Sequence, residues 1–157
     1  MGRRTLKDPE FEHPEDAAYF RANLCPRGGR LARFAVLFDF RDPAAKRREF
    51  NRCRDQLLRE LKRARGASCQ LRLSPGCQLK GPLTVDHLIP LSSNVLNKCL
   101  RQMKAPSGRK VPTQSLGSNH IENLALACGP CNGHKKHQLY PELIRRQIRK
   151  ASTKRRR

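Results

Sequence analysis

Between Val85 and Lys136 the chain sets Asp86 directly before His87 and follows them with Asn123, Asn132 and Lys135. A neutral imidazole, with an ordinary pKa of about 6.5, can take a proton from water near neutral pH. His87 is therefore the natural general base. Asp86 and Asn132 offer hard oxygen donors suited to Mg2+ or Mn2+, an ion that can hold a phosphate and stabilise charge on a departing oxygen. These are the parts needed to hydrolyse a phosphodiester. Neighbouring residues on a regular strand point to opposite faces, so Asp86 and His87 meet on one phosphate only where the strand ends or bulges. Pro90, three residues on, is consistent with such an ending.

Asn132 stands directly after Cys128-Gly129-Pro130-Cys131, a two-residue spacing that lets both thiolates reach one ion at about 2.3 Å. Seven cysteines cannot all pair within one chain, and in a reducing compartment such a cluster reads as a zinc site instead of disulfides. The other half of the site falls to Cys69 and Cys77, on either side of the Ser74-Pro75-Gly76 turn. Their wide gap leaves open that Cys53 or Cys99 substitutes, or that no ion binds. Four thiolates leave zinc no open position, which makes it structural and not catalytic. Cys25, Cys53 and Cys99 otherwise read as small buried apolar residues.

Taken in order from Cys69 to Lys136, a little under half of the chain, this set resembles the HNH family of ββα-metal (His-Me finger) endonucleases. The resemblance implies an α+β fold: a small zinc-stabilised ββα-metal core with flanking helices and extended basic termini. It implies that Asp86 binds the catalytic metal, that His87 activates water, and that Asn123 fixes the loop around the histidine by hydrogen bonds. Asn132 takes the place of the third motif residue, where asparagine instead of histidine makes an H-N-N variant. Lys135 matches a basic position that touches phosphate. The wide spacing of Cys69 and Cys77 departs from the family's usual short one. His134 and His137, on the same helix, read as phosphate contacts or an additional metal ligand, and His120 as structural.

The remaining sequence must position this set and bring it to a substrate. The 157 residues carry 34 Lys and Arg against 13 Asp and Glu, a formal charge of +21, which a polyanion would screen. Nucleic acid, foremost double-stranded DNA, is the expected partner. A noncatalytic zinc-stabilised DNA- or RNA-binding module is the alternative that charge alone supports. No secretion signal or long apolar run is legible, which points to a cytoplasmic setting, bacterial or phage-encoded. A homodimer would suit double-strand cleavage, although no dimer surface can be read.

Residues 1–30, broken by prolines and Gly28-Gly29, read as a mostly irregular arm, with a helix-compatible piece from Ala17 to Leu24. Within 31–66, Leu31 to Phe40 reads as a short strand, and Asp42-Pro43 starts a basic amphipathic helix from Ala44 to Ala64. Its apolar stripe is Phe50, Cys53, Leu57, Leu58 and Leu61, with Gly66 as terminator. The core spans 67–140: a hairpin of Cys69 to Leu73 with Leu83 to His87, an insertion over 91–118, and a helix from Asn132 to Leu139. Within the insertion Asn94 to Met103 reads as helical, and Arg101 and Lys104 are candidate DNA contacts. A helix from Pro141 to Lys150 and a basic tail complete the 141–157 segment.

Overall fold

The computed structural model describes residues 6–91, 115–136 and 138–156. Helices α1 (Pro14–Leu24) and α2 (Pro43–Arg65) precede strands β1 (Leu83–His87) and β2 (Leu124–Cys128), and helices α3 (Gly129–Lys135) and α4 (Pro141–Lys154) follow. The fold is thus mixed, helical around a small antiparallel sheet. Among the described residues no helix is long and apolar enough to cross a membrane.

α2 forms where its cap signals place it. The Asp42 carboxylate accepts from the Ala45 amide at 3.0 Å, Pro43 occupies the first turn, and Gly66 ends the helix at φ +83°. Its stripe buries Phe50 and Leu61 against Val85, Leu124 and Leu126, so α2 covers one face of the sheet. The other face, with Ala125 and Ala127, belongs to a larger cluster that includes Phe20, Leu24, Leu31, Leu37 and Ile144.

Leu31 to Phe40 is not a strand but carries a 3₁₀ helix over Leu31–Leu37. Its buried Leu31, Phe34 and Leu37 recur every three residues, which is the 3₁₀ repeat and not the two-residue repeat of a strand. Residues 6–30 are more than an arm, because α1 buries Phe20 and Leu24 in the core and Phe11 stacks on Phe20 at 5.7 Å.

The hairpin of Cys69 to Leu73 with Leu83 to His87 does not form. β1 pairs with β2 instead, in a register running from Leu83 opposite Cys128 to His87 opposite Leu124. Only Gln70 runs beside β2, its amide donating to the Leu126 carbonyl (2.8 Å) while its side chain accepts from the Leu126 amide (2.9 Å). A side chain that takes a ladder position ends the ladder there, and Arg72 at φ +50° turns the chain away. The helix expected from Asn132 to Leu139 instead starts within the Cys128–Cys131 knuckle, as α3, and ends at Lys135 because Lys136 adopts φ +50°, while α4 runs on to Lys154.

The insertion's interior, with Cys99, Arg101, Lys104 and the Asn94 to Met103 segment, lies outside the described residues, as does His137. Its exit is fastened beside its entrance. The Gly117 amide donates to the Pro90 carbonyl at 3.1 Å, and its own carbonyl accepts from the ammonium of buried Lys46. A Cβ on Gly117 would fall 1.9 Å from the Ile89 carbonyl oxygen, a backbone atom with little room to yield. Gly117→Ala is therefore expected to destabilise the fold by about 3 kcal/mol, the upper end of overpacking costs, read as a lower urea midpoint at unchanged slope.

Candidate functional site

The four cysteines Cys69, Cys77, Cys128 and Cys131 come together, their sulfur atoms all within 4.8 Å of one another. Ligands at 2.3 Å in a tetrahedron stand about 3.8 Å apart, and Cys77 and Cys128 are 3.9 Å apart. The cluster could therefore hold a structural metal such as zinc. Cys128 ends β2 and Cys131 sits in the first turn of α3, so the strand-to-helix junction presents one pair. The other pair flanks a loop that closes on itself, the Cys69 amide donating to the Leu79 carbonyl at 2.9 Å. This closure brings the widely spaced Cys69 and Cys77 to one point. Cys53 is elsewhere, on α2, donating to the Glu49 carbonyl.

Main-chain amides are aimed at these sulfurs: Leu73 and Ser74 donate to Cys131 at 3.3 and 3.4 Å, Gln78 to Cys128 at 3.4 Å, and Cys128 to Cys69 at 3.4 Å. Such donors favour thiolate over thiol. Burial pushes the Cys128 thiol up, but hydrogen bonds from the Cys131 and Gln78 amides and the Cys131 and Cys69 side chains together outweigh it and bring Cys128 down to about 7. Burial and its three sulfur neighbours push Cys77 up to about 12. Sulfurs this crowded cannot all ionise alone, and a cation removes that conflict.

Immediately beyond the knuckle, Asp86, His87 and Asn132 line one open cleft of about 350 Å³, together with Arg47, Phe50 and Lys136. β1 stays regular through both Asp86 and His87 and ends there, without a bulge. Asp86 accordingly turns toward α3 and His87 toward α2, and the two share the cleft from opposite sides of the strand end. The His87 ring meets Phe50 edge-on with centroids 4.6 Å apart. Its Nε2 lies 2.9 Å from Asn119 Oδ1. Burial lowers its pKa to about 4, with the charges of Arg47, Lys135 and Lys46 adding to this against the Asn119 hydrogen bond, so the ring is neutral at neutral pH.

Asn123 is fully buried and clamps the chain after His87. Its Oδ1 accepts from the Ile89 amide at 2.9 Å, while Nδ2 donates to the carbonyls of Ile89 (3.0 Å) and Ser118 (2.8 Å). His120 caps the short 3₁₀ turn Ile121–Asn123 by accepting from the Glu122 amide. His134 is exposed on α3.

Lys135, expected to touch phosphate, is buried. Its side chain is only 1% exposed, pairs with Asp86 Oδ2 at 3.0 Å, and donates to the His87 carbonyl at 2.8 Å. The reason is its place on the inner face of the short helix, one turn after Cys131, where a four-carbon stem reaches β1. Removing one member of a buried pair strands the other. Lys135→Met is therefore expected to cost about 3 kcal/mol in chemical unfolding. Combining it with Asp86→Asn should return part of that loss, because no buried charge then lacks a partner.

Asn119, Lys46 and Arg47 were not marked by any sequence motif, and Phe50 was marked only as part of the apolar stripe of α2. The only trace of Asn119 is its place in a short polar run, Ser118-Asn119-His120, ahead of an apolar strand. Compared with protein-family profiles, curated proteins and solved structures, the chain matches none.

Proposed function

We propose that the protein is a metal-dependent DNA endonuclease of the HNH kind, hydrolysing phosphodiester bonds. The observation that carries the reading is that His87, Asp86 and Asn132 line one cleft beside the four-cysteine cluster. The spatial order of β1, β2 and α3, with the knuckle at the β2–α3 junction, agrees with a zinc-stabilised ββα-metal core.

His87 takes the proton from the attacking water. Its low basicity reflects burial among Arg47, Lys46 and Lys135, and an anionic phosphate entering the cleft would raise it. Arg47 and Lys136, on the cleft wall, would hold that phosphate. Asn123 keeps the His87-to-Pro90 turn in place. Asp86 and Asn132 are the residues to hold Mg2+ or Mn2+, and two protein oxygens are in keeping with what Mg2+ takes from a protein when phosphate and water complete its shell. When bound, that ion would stabilise the charge of the departing oxygen.

The charge supports a polyanionic partner. On α2, Arg48, Arg52, Arg59 and Arg63 are exposed and recur at steps of four and seven, which places them on one outward face. That face makes the helix a rail for successive phosphates of double-stranded DNA.

One observation favours the second reading, a noncatalytic zinc-stabilised DNA- or RNA-binding module. Asp86 already has an ion-pair partner in Lys135 without any metal. A supercoiled-plasmid assay separates the two. The endonuclease nicks in Mg2+ or Mn2+ and stops in excess chelator, whereas retardation of the plasmid with no nicking in either ion would leave only the binding module.

A further inference from the structure

We propose that Asn119 is a positioning residue, which decides which ring nitrogen of His87 is left free to accept a proton. The inference rests on the reading of His87 as the general base.

The side-chain amide of Asn119 is held at both ends. Its Nδ2 donates to the Lys46 main-chain carbonyl at 2.9 Å, and its Oδ1 lies 2.9 Å from His87 Nε2. Turning the amide over would set Oδ1 against the Lys46 carbonyl, two acceptors face to face, so the orientation is fixed. With an oxygen facing it, Nε2 must carry the proton and donate. A neutral imidazole has one N–H, so Nδ1 keeps its lone pair. Nδ1 is then the atom that receives the proton of water.

The surroundings make this arrangement stiff. Lys46 is buried in the first turns of α2, its ammonium held by the carbonyls of Asp39 and Gly117. Ser118, the residue before Asn119, is fastened to the 3₁₀ segment: its amide donates to the Leu37 carbonyl at 2.9 Å and its hydroxyl to the Val36 carbonyl at 2.6 Å. Phe50 sets the plane of the imidazole from the α2 side, at 65° between rings. Three separate stretches of chain thus converge on one tautomer. Asn123 has a different task, since it holds main chain and does not touch the ring.

The test uses the full chain, zinc-loaded and labelled with 15N-histidine, together with the plasmid-nicking assay. Long-range 15N–1H correlation at neutral pH should show His87 protonated at Nε2, with that proton protected from exchange in the wild type and unprotected in Asn119→Ala. In the assay Asn119→Ala should lower kcat by roughly 10- to 100-fold with KM little changed, the size of loss that removing the hydrogen-bond partner causes at metal-bound histidines. Asn119→Asp keeps the acceptor facing His87 but cannot donate to the Lys46 carbonyl. It should regain at least about tenfold of the loss. If the Lys46 contact alone mattered, aspartate would be no better than alanine.

A proton on Nδ1 in the wild type overturns the proposal, and so does an Asn119→Asp enzyme as slow as Asn119→Ala. Should Asn119→Ala fail to fold, the wild-type tautomer and the Asn119→Asp rate relative to wild type still decide it. A wild type that never nicks would sink the endonuclease reading, and the proposal with it as a catalytic role. The tautomer measurement separately reports whether Asn119 sets the ring.

Discussion

His87→Ala is expected to bind DNA with nearly the wild-type affinity and to cut it roughly 10²- to 10⁴-fold more slowly, the usual contribution of a positioned general base. The separation follows from where the two tasks reside. Affinity for a polyanion comes from neutralised phosphates, and the groups suited to this are the outward arginines of α2 with Arg47 and Lys136 at the cleft. His87 is neutral at working pH and adds little to that sum. Among the described residues proton removal has no substitute at the cleft: Asp86 is paired with Lys135, and His134 is exposed on α3 and absent from the cleft lining. The ring also packs on Phe50, so the alanine variant needs a melting curve beside the activity measurement. Fluorescence anisotropy with labelled duplex gives the affinity, and single-turnover nicking gives the rate. Parallel loss of both would mean that the histidine serves binding or folding, and would count against the endonuclease.

How far the sequence discloses this arrangement depends on the range of the interactions. α2 was legible because its signals are local: a cap residue, a proline, a three-to-four-residue apolar stripe and a glycine stop lie within one segment. The knuckle was legible because two cysteines at that spacing have few other uses. The partner of β1 was not legible. Leu83 to His87 could pair with the nearby Cys69 to Leu73 or with the distant Leu124 to Cys128, and pattern alone favours the nearer partner. What decides is that Cys69 is drawn into the sulfur cluster and Gln70 is spent on Leu126, leaving that stretch no ladder of its own.

The 3₁₀ turn at Leu31–Leu37 was misread because a dense apolar run conceals its period until burial shows it. Lys135 and Asn119 illustrate the remaining gap. A lysine next to a binding motif suggests phosphate and an asparagine in a polar run suggests a loop, yet one is buried against Asp86 and the other against His87. Such roles are set by contacts across 49 and 32 positions of chain, which no local pattern encodes.

With zinc in the cysteine cluster, removing it would have the largest effect of all. Structural zinc in small modules supplies folding free energy on the order of 10 kcal/mol, comparable to the whole stability of a typical domain at about 5–15 kcal/mol. The wild type is expected to bind zinc stoichiometrically, and Cys131→Ser to lose both the zinc and the cooperative thermal transition of the core. Cys53→Ser, which alters a thiol on α2 outside the cluster, should change stability by less than about 1 kcal/mol. Nicking should vanish with the fold, because Cys128 is the last residue of β2, paired with Leu83, and Cys131 immediately precedes Asn132. The two metals can then be told apart by add-back. After chelation, Mg2+ alone should restore neither the circular-dichroism signal nor cutting, and Zn2+ alone should restore the signal without cutting. Both together should restore activity. Retention of the folded signal in zinc-free protein would show that the four sulfurs pack without an ion, and the mechanical link between knuckle and cleft would then have to rest on β1–β2 pairing and the buried Lys135–Asp86 contact alone.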